Sequence, residues 1–561
     1  MSRSPHCSAH AWGLLAQACG LVAVSLTAAC SDSAIGPRTP SSTAMNTSAA
    51  RLIMVTPTGA LRGAGTTSAP MSLAMAIASA PAGSKIQLAG GTYEIAGLTI
   101  DRPLTLEAAA GAAVDIKGSA VIPADQWERI GALWRTPWTA ATLAPAAAAP
   151  TDSSPTASMR ADAVRRVTQL QHRLSAGAHV LTPAASLATV DQSSFYVDSI
   201  GKWLYVGQDP ALNPVQTGTA GIGILVTGPN VQVGHISVHD FADIGFRVAS
   251  SGAVIQSNNF SHNGLIGLDI NGVSNVTVQH NTITYNGQVG IEMSYSSNLL
   301  IQYNNISNNN TGNYSMSYAA AGMKGTNVSN VMVQGNWVAD NQANSIWFDV
   351  NSAGITIAAN QVMRSKAYGI YFELTNGPLI VGNVAHDNHQ AGIGVHFTTN
   401  ARIYNNTLVN NGTDLDVSAS YARAPYDTYN AVIANNIFWN STSSMLVNLY
   451  RYNGCNSWVY SEVDYNAYYR PSGSPARYVV NWCNAWETNI TPFRTTGNES
   501  HGMEYDGGSD PFFVNVAGGN YHIHAGSPAI GRGQGLPSDA AAALGVKAGT
   551  AVNLGALQWV Q

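Results

Sequence analysis

Apolar and polar residues alternate in short runs from Gly245 to Asn406, and the same run returns again and again. In order the passes read GFRVASSGAVIQSNNF, GLDINGVSNVTVQHNTI, GIEMSYSSNLLIQYNNI, GMKGTNVSNVMVQGNWV, SIWFDVNSAGITIAANQV, GIYFELTNGPLIVGNVA and GIGVHFTTNARIYNNTL. Each opens on a small residue before an apolar one, turns, continues through β-branched residues, and reaches an Asn two places before an apolar side chain. Those asparagines are Asn258, Asn281, Asn304, Asn336, Asn360, Asn383 and Asn406, spaced 23, 23, 32, 24, 23 and 23 residues apart. Alternation of this kind marks strands, and a fixed period of this length marks a stacked solenoid. The pattern therefore predicts an all-β, right-handed parallel β-helix, whose coils share a core of Val, Ile and Leu that no single coil can bury. Equivalent asparagines fall about 4.8 Å apart in such a stack, with amides placed to bond from coil to coil. They read as scaffold.

Stacking in register turns a place in the repeat into a column. Two positions after the opening residue come Arg247, Asp269, Glu292, Lys324, Trp347, Tyr371 and Gly394. Two further on, on the same face of the strand, come Asp349, Glu373 and His396. Only seven carboxylates lie between residues 241 and 400, and four of them fall in these two columns; Asp243, Asp340 and Asp387 belong to turns. Asp349 and Glu373 are 24 residues apart, about one coil, so their backbones should lie roughly 5 Å apart. Close carboxylates suit a retaining glycosidase, in which one attacks the sugar and the other protonates the leaving oxygen. Two acids so close do not readily ionise together, so one pKa should rise. Lys324, one coil below, favours an ionised Asp349, and aromatic neighbours favour a protonated Glu373. The expectation is Asp349 as nucleophile and Glu373 as general acid/base, with Trp347, Tyr371 and His396 lining a cleft where rings stack on the sugar's apolar face. Lys324, Glu292, Asp269 and Arg247 complete the expected substrate-binding stripe.

Ahead of the repeats, residues 1–29 hold Arg3 and the apolar run WGLLAQACGLVAVSLTAA, the pattern of a secretory signal. Thr27-Ala28-Ala29-Cys30 resembles a bacterial lipobox with its Leu one place early, at Leu26, which makes Cys30 a lipidated first residue; an ordinary cleaved signal is the other reading. Both take the chain out of the cytoplasm, to the bacterial cell envelope or beyond. Residues 30–50 read as a flexible tether. Residues 51–123 read as a cap and first coils: APMSLAMAIASAPAGSKIQLAGGTYEI gives a short helix and a strand, and the helix would close the open end of the stack.

Periodicity stops at residues 124–215, an insertion with Trp127, Trp134, Trp138, the segment ATLAPAAAAPTDSSPTAS and a hairpin pattern in SSFYVDSIGKWLYVG. Coils resume over residues 216–561, with His235 standing at the Asn position 23 residues before Asn258. The 32-residue coil carries an extra loop, SNNNTGNYSMSYAA, whose Tyr314 and Tyr318 are placed to wall the stripe. Beyond Asn406 the coils become irregular, and DPFFVNVAGGNYHIHAGSPAIGRG reads as a terminal coil.

A net charge of −5 with 10% charged residues gives nothing that attracts nucleic acid or an anionic lipid surface. Of five cysteines, Cys7 and Cys19 fall in the signal and Cys30 is the anchor, so Cys455 and Cys483 remain to form a disulfide across a Tyr-rich surface loop.

WFDVNSAGITIAANQV followed by YFELTNGPLIVGNVAHDN resembles glycoside hydrolase family 120, β-xylosidases built on a pectate-lyase-like parallel β-helix. The resemblance implies a catalytic Asp in a Trp-x-Asp setting, Trp347 with Asp349, and a catalytic Glu one coil on, Glu373 before Asn376, Gly377 and Pro378. Thr375-Asn376 stands where that family has Asn-His, which implies a different sugar. No cofactor is expected for a hydrolase. Two other readings stand beside it. A polysaccharide lyase would use Lys324 or Arg247 as base on a uronic glycan, with Asp269 and Glu292 holding Ca²⁺. A non-catalytic glycan-binding surface protein would use the same fold without chemistry.

Overall fold

The structure, a computed structural model, describes residues 50–138, 174–176, 179–198, 200–218, 221–456 and 459–557. The signal segment, most of the tether and Cys30 lie outside the described residues. A regular coil is three short strands and three turns, for example Ile266–Asn271, Ser274–Gln279 and Thr282–Thr284. Each strand pairs in parallel with its equivalent one coil on. Among the described residues the coils build three sheets of thirteen strands, a right-handed parallel β-helix. The first-strand positions form what we call the site sheet. Its inward residues Leu268, Ile291, Met323, Ile346, Ile370, Ile393 and Leu415 stack one on the next and are fully buried. Each contributes about 2 kcal/mol relative to exposure.

The turn between the second and third sheets is built the same way in the coils of Asn258 through Asn383. Ser257, His280, Tyr303, Gly335, Ala359 and Gly382 take left-handed φ, and the next residue is the buried ladder Asn. Asn304 Nδ2 donates to Asn336 Oδ1 at 3.0 Å, and Asn304's backbone N–H donates to the same oxygen at 2.9 Å. The ladder runs on through Asn436 and Asn466 and ends at Glu499, whose Oε1 accepts from Asn466 Nδ2 at 2.8 Å and from the Tyr468 hydroxyl at 2.7 Å. A non-glycine left-handed residue costs about 1–2 kcal/mol; the amide bonds it permits offset that. Burial is the main cause that pushes the Glu499 pKa up to about 7.

Sequence reading found one ladder, and there are two. Five residues on, Asn263, Asn286, Asn309 and Asn341 form a second, which breaks at Ser365 and resumes through Asn388 and Asn411 to Asp414. It explains the glycine at the head of most repeats: a Cβ on Gly267 or Gly290 would lie 2.6 or 2.8 Å from an amide nitrogen of this ladder. Asp414 is wholly buried, and burial pushes its pKa well above the carboxylate range.

At the first end, helix Leu73–Ser79 buries Leu73, Ala76 and Ile77 beside strand Leu52–Ala60. Two small sheets fill much of the interval between Lys117 and Ile222, including the hairpin of Ser194–Asp198 and Trp203–Val206, around Trp127, Leu174, Phe195 and Leu204. The stack passes this interval without a break, since Val114–Lys117 pairs with Ser237–His239.

Three expectations need correction. His235 is exposed and left-handed, matching Ser257, so the ladder position in its coil is Ile236, whose N–H donates to Asn258 Oδ1 at 3.2 Å. The Cys455–Cys483 disulfide, with Cα atoms 5.7 Å apart, does not close a surface loop: Tyr460, Tyr468 and Tyr469 between its cysteines are core residues of one more coil. The described residues after Met503–Asp506 form no terminal coil. They run back along the outside, where Phe512, Phe513 and Tyr521 cover outward Val384, Val409 and Ile437, and helix Ser538–Leu544 lies against Leu379, Val381 and Tyr404. Those outward residues are apolar, and a free outer face of this kind is covered rather than left in water.

Candidate active site

The site sheet carries both columns of chemistry on its outer face. Lateral partners run Arg247, Asp269, Glu292, Lys324, Trp347, Tyr371, Gly394 in the expected order. The column then continues through Asp416, Asn448 and Asn481. In the second column Asp349 follows Trp347 and Phe348, and Glu373 follows their partners Tyr371 and Phe372, so the two acids leave adjacent strands at the same level. Glu373 is the partner of His396 in the next coil.

Each acid meets a cation. Lys324 Nζ lies 3.2 Å from Asp349 Oδ2 and 3.4 Å from the centre of the Trp347 ring, and it donates to the Tyr318 carbonyl. Burial lowers the Lys324 pKa, against the opposing pull of Asp349, Glu292 and Glu373. Asp349 Oδ1 also accepts from the Val350 N–H at 2.8 Å. Glu373 Oε1 receives Arg423 Nη1 at 2.6 Å. Arg423 belongs to residues 420–430, which arch back over earlier coils: the Tyr426 hydroxyl donates to Asn351 Oδ1 at 2.7 Å, and Asp427 takes two bonds from Arg451.

The aromatic residues sit deeper than expected. Trp347 is 1% exposed, with Lys324 over its ring and Tyr371 5.7 Å away, so its faces are not offered to a sugar. Tyr371 is 9% exposed; Tyr368 stacks on it at 4.4 Å and 10°. Both rings floor the site instead of stacking on its occupant. Tyr314 does not wall the stripe: it is buried among Ile244, Leu265 and Val289, while Tyr318 stands at the edge.

His396 joins the two columns. Its Nδ1 is 3.2 Å from the Tyr371 hydroxyl and its Nε2 is 2.9 Å from Asp416 Oδ2. Burial pushes the imidazole pKa down, but Asp416, its hydrogen bond and Glu373 outweigh that and leave it raised. Toward the first end, Arg247 pairs with buried Asp269 at 2.5 Å, and Glu292 is the next rung. Ca²⁺ held by Asp269 would have to displace that arginine. Among the described residues no group of three or more His, Cys, Asp or Glu side chains is gathered as a metal site.

Arg423, Asp416 and Tyr368 were not found from the sequence. Asp416 could have been, since apolar–polar alternation returns in TDLDVSA just after Asn411 and sets Asp416 on the outward face one coil beyond Gly394. Nothing in the local pattern announces Arg423, because it reaches the site from a turn 50 residues after Glu373.

Two families match parts of the chain: the right-handed β-helix region over residues 222–383, and the periplasmic copper-binding protein NosD over residues 312–469. No curated protein matches it. Among solved structures it is similar to XylC in complex with xylose, at 14% identity over 82% of this chain and 87% of that one, with a TM-score of 0.59. It also matches pectate lyase Pel9A at 15% identity over 92% and 98%, with a TM-score of 0.45. At such identity the XylC likeness is one of fold.

Proposed function

We propose that this protein is a glycoside hydrolase acting on a polysaccharide or oligosaccharide by a retaining, two-carboxylate mechanism. The observation that carries the proposal is the pair Asp349 and Glu373, set at one level on adjacent strands above a floor of Trp347 and Tyr371. In this reading Asp349, oriented by Lys324 and the Val350 N–H, attacks the anomeric carbon. Glu373 protonates the leaving oxygen and then draws a proton from water. An acid that gives up a proton does so free of a guanidinium partner, so Arg423 withdraws from Glu373 when substrate enters. The fold shared with a xylose-bound protein supports a sugar ligand. The disulfide and the sequence of residues 1–30 support a place outside the cytoplasm, free or held by lipid on Cys30. Residues 124–215 are read as a subdomain inserted in a helix of residues 51–123 and 216–506, with the chain after Asp506 returning along the outside.

One observation favours a second reading, β-elimination on a uronic glycan: burial lowers the Lys324 pKa, as a base requires. Against it, the Lys324 amine is already committed to Asp349 and Tyr318. Purified protein incubated with a panel of plant, algal and bacterial glycans, assayed for new reducing ends and for ultraviolet-absorbing unsaturated ends, separates the readings. Saturated reducing ends, lost in Asp349→Asn, are expected. Unsaturated ends would make it a lyase, and neither product would leave a binding protein.

A further inference from the structure

Tyr371, His396 and Asp416 form a hydrogen-bonded line whose direction can be traced to its end. The backbone N–H of Asn484 donates to Asn481 Oδ1 at 2.9 Å, which leaves Asn481 Nδ2 to donate to Asn448 Oδ1 at 2.8 Å. Asn448 Nδ2 then donates to Asp416 Oδ1 at 2.8 Å. A backbone N–H cannot accept, so every amide in this line is fixed in orientation. Asp416 Oδ2 therefore faces His396 Nε2 as an acceptor, and the Nε2 hydrogen is held there. Only Nδ1, beside the Tyr371 hydroxyl, is left to change state.

Room for this line is made by a missing side chain. Gly394 sits between Tyr371 and Asp416 in the column. A Cβ on it would lie 2.6 Å from the Tyr368 ring and 3.1 Å from Tyr371 Cδ2. Tyr368 in turn stacks on Tyr371 and meets His396 edge-on at 5.5 Å. The phenol has one rotatable atom, its hydroxyl hydrogen, and two places to send it. With imidazole neutral, Tyr371 donates to Nδ1. With imidazolium, Nδ1–H donates to the phenol oxygen and the phenol hydrogen is released from Nδ1, in the field of Glu373, the strongest charge acting on this phenol, and of Asp349.

We propose that Tyr371 is a third catalytic group, donating its hydroxyl hydrogen to a substrate oxygen between Asp349 and Glu373, and that His396 and Asp416 are positioning residues that decide whether that hydrogen is available. The proposal rests on the hydrolase reading above. The groups facing His396 are Tyr371, Tyr368, Asp416 and, from the preceding coil, Glu373. Burial opposes the imidazolium, but Asp416 and Glu373 outweigh it and favour this donating state.

Three measurements on the full-length protein test this. Tyr371→Phe, which keeps the ring, should lower kcat about 100-fold with little change in KM, the loss expected for one transition-state donor. In the wild type, the fall in kcat/KM at high pH should include a limb that tracks the titration of His396 followed by imidazole nitrogen NMR. Asp416→Asn should abolish that limb. Its Oδ1 must still face Asn448, so its Nδ2 faces Nε2, forces the hydrogen onto Nδ1, and leaves the phenol hydrogen released from Nδ1 at every pH. NMR should report that tautomer directly. An unchanged kcat in Tyr371→Phe, or an unchanged limb in Asp416→Asn with Nδ1 carrying the hydrogen, overturns the proposal while leaving the hydrolase intact. Release of no saturated reducing end by the wild type overturns the hydrolase reading, and this inference with it. Thermal unfolding of both variants separates loss of fold from loss of chemistry.

Discussion

Two kinds of column climb the same stack. In the Asn ladder each coil from Asn258 to Asn466 repeats one residue at the strand spacing, and each amide donates to the next, at 3.1 Å at the first step and 3.0 Å at the last. In the site column the residue changes at every rung from Arg247 to Gly394: Arg247, Asp269, Glu292, Lys324, Trp347, Tyr371 and Gly394 follow one another. Both have the same backbone and the same register. The difference lies in where the side chains point. The ladder is buried, where an unpaired amide costs the full desolvation of its donors, so one residue type that pairs with itself fits every coil. The site column faces outward, where nothing enforces identity, and each rung is free to take the residue that chemistry needs.

Breaking the site column at its acid should have the largest effect. Asp349→Asn keeps the shape and its bond to the Val350 N–H, and removes the attacking charge. Hydrolysis should fall by roughly three orders of magnitude or more, read as kcat on an activated aryl glycoside. Retained activity would mean that the column's variety has another purpose.

Breaking the ladder should cost fold and not chemistry. Asn336 accepts from Asn304 twice and donates to Asn360 Oδ1, the Ile301 carbonyl and the Gln334 carbonyl. Asn336→Ala leaves several of these buried and unpaired, a loss of roughly 4 kcal/mol measured by denaturant unfolding. Its kcat per folded molecule should match the wild type.

How much of this was legible follows from the same contrast. Repetition is readable, so the coil register, even across the 32-residue coil, came from spacing alone and set Asp349 and Glu373 beside each other. The second ladder is equally regular, five residues after the first, but asparagines at that place are also what plain turns use, so the period alone does not tell a buried ladder from a turn. The depth of Trp347 and Tyr371 was not readable: alternation gives the outward side, and burial there comes from Lys324, Tyr368 and the neighbouring coils stacked over them. Arg423 and the returning chain after Asp506 depend on contacts across tens of residues, which leave no period behind.

The ladder's end sharpens the comparison, because there a titratable residue takes the place of an amide. Glu499 has a folded pKa of about 7 against an ordinary 4.5. Below pH 4.5 both states hold the proton. Between 4.5 and 7 the unfolded chain gives it up while the folded protein keeps it, so stability falls as pH rises, and the loss is complete above 7. The loss is at most about 3 kcal/mol. Glu499→Gln should flatten that slope whatever its effect on stability at one pH. A slope that survives the substitution would assign it to other groups.

The smallest effect is expected where a ladder exists with only partial burial. Gln256, Gln279, Gln302 and Gln334 bond side chain to side chain at 3.0, 2.8 and 2.7 Å, the same amide chemistry as the Asn ladder, on the outward side of the second sheet. Removing Gln302 frees one donor and one acceptor, and both meet water. Gln302→Ala should therefore shift stability by less than about 0.5 kcal/mol, near the limit of denaturant unfolding. Measured beside Asn336→Ala, it isolates the effect of burial, since hydrogen-bond type and stacking period are shared. Equal losses in the two variants would show that the period itself, and not the cost of unpaired buried amides, stabilises a ladder, and the explanation given for the repeated asparagines would fall.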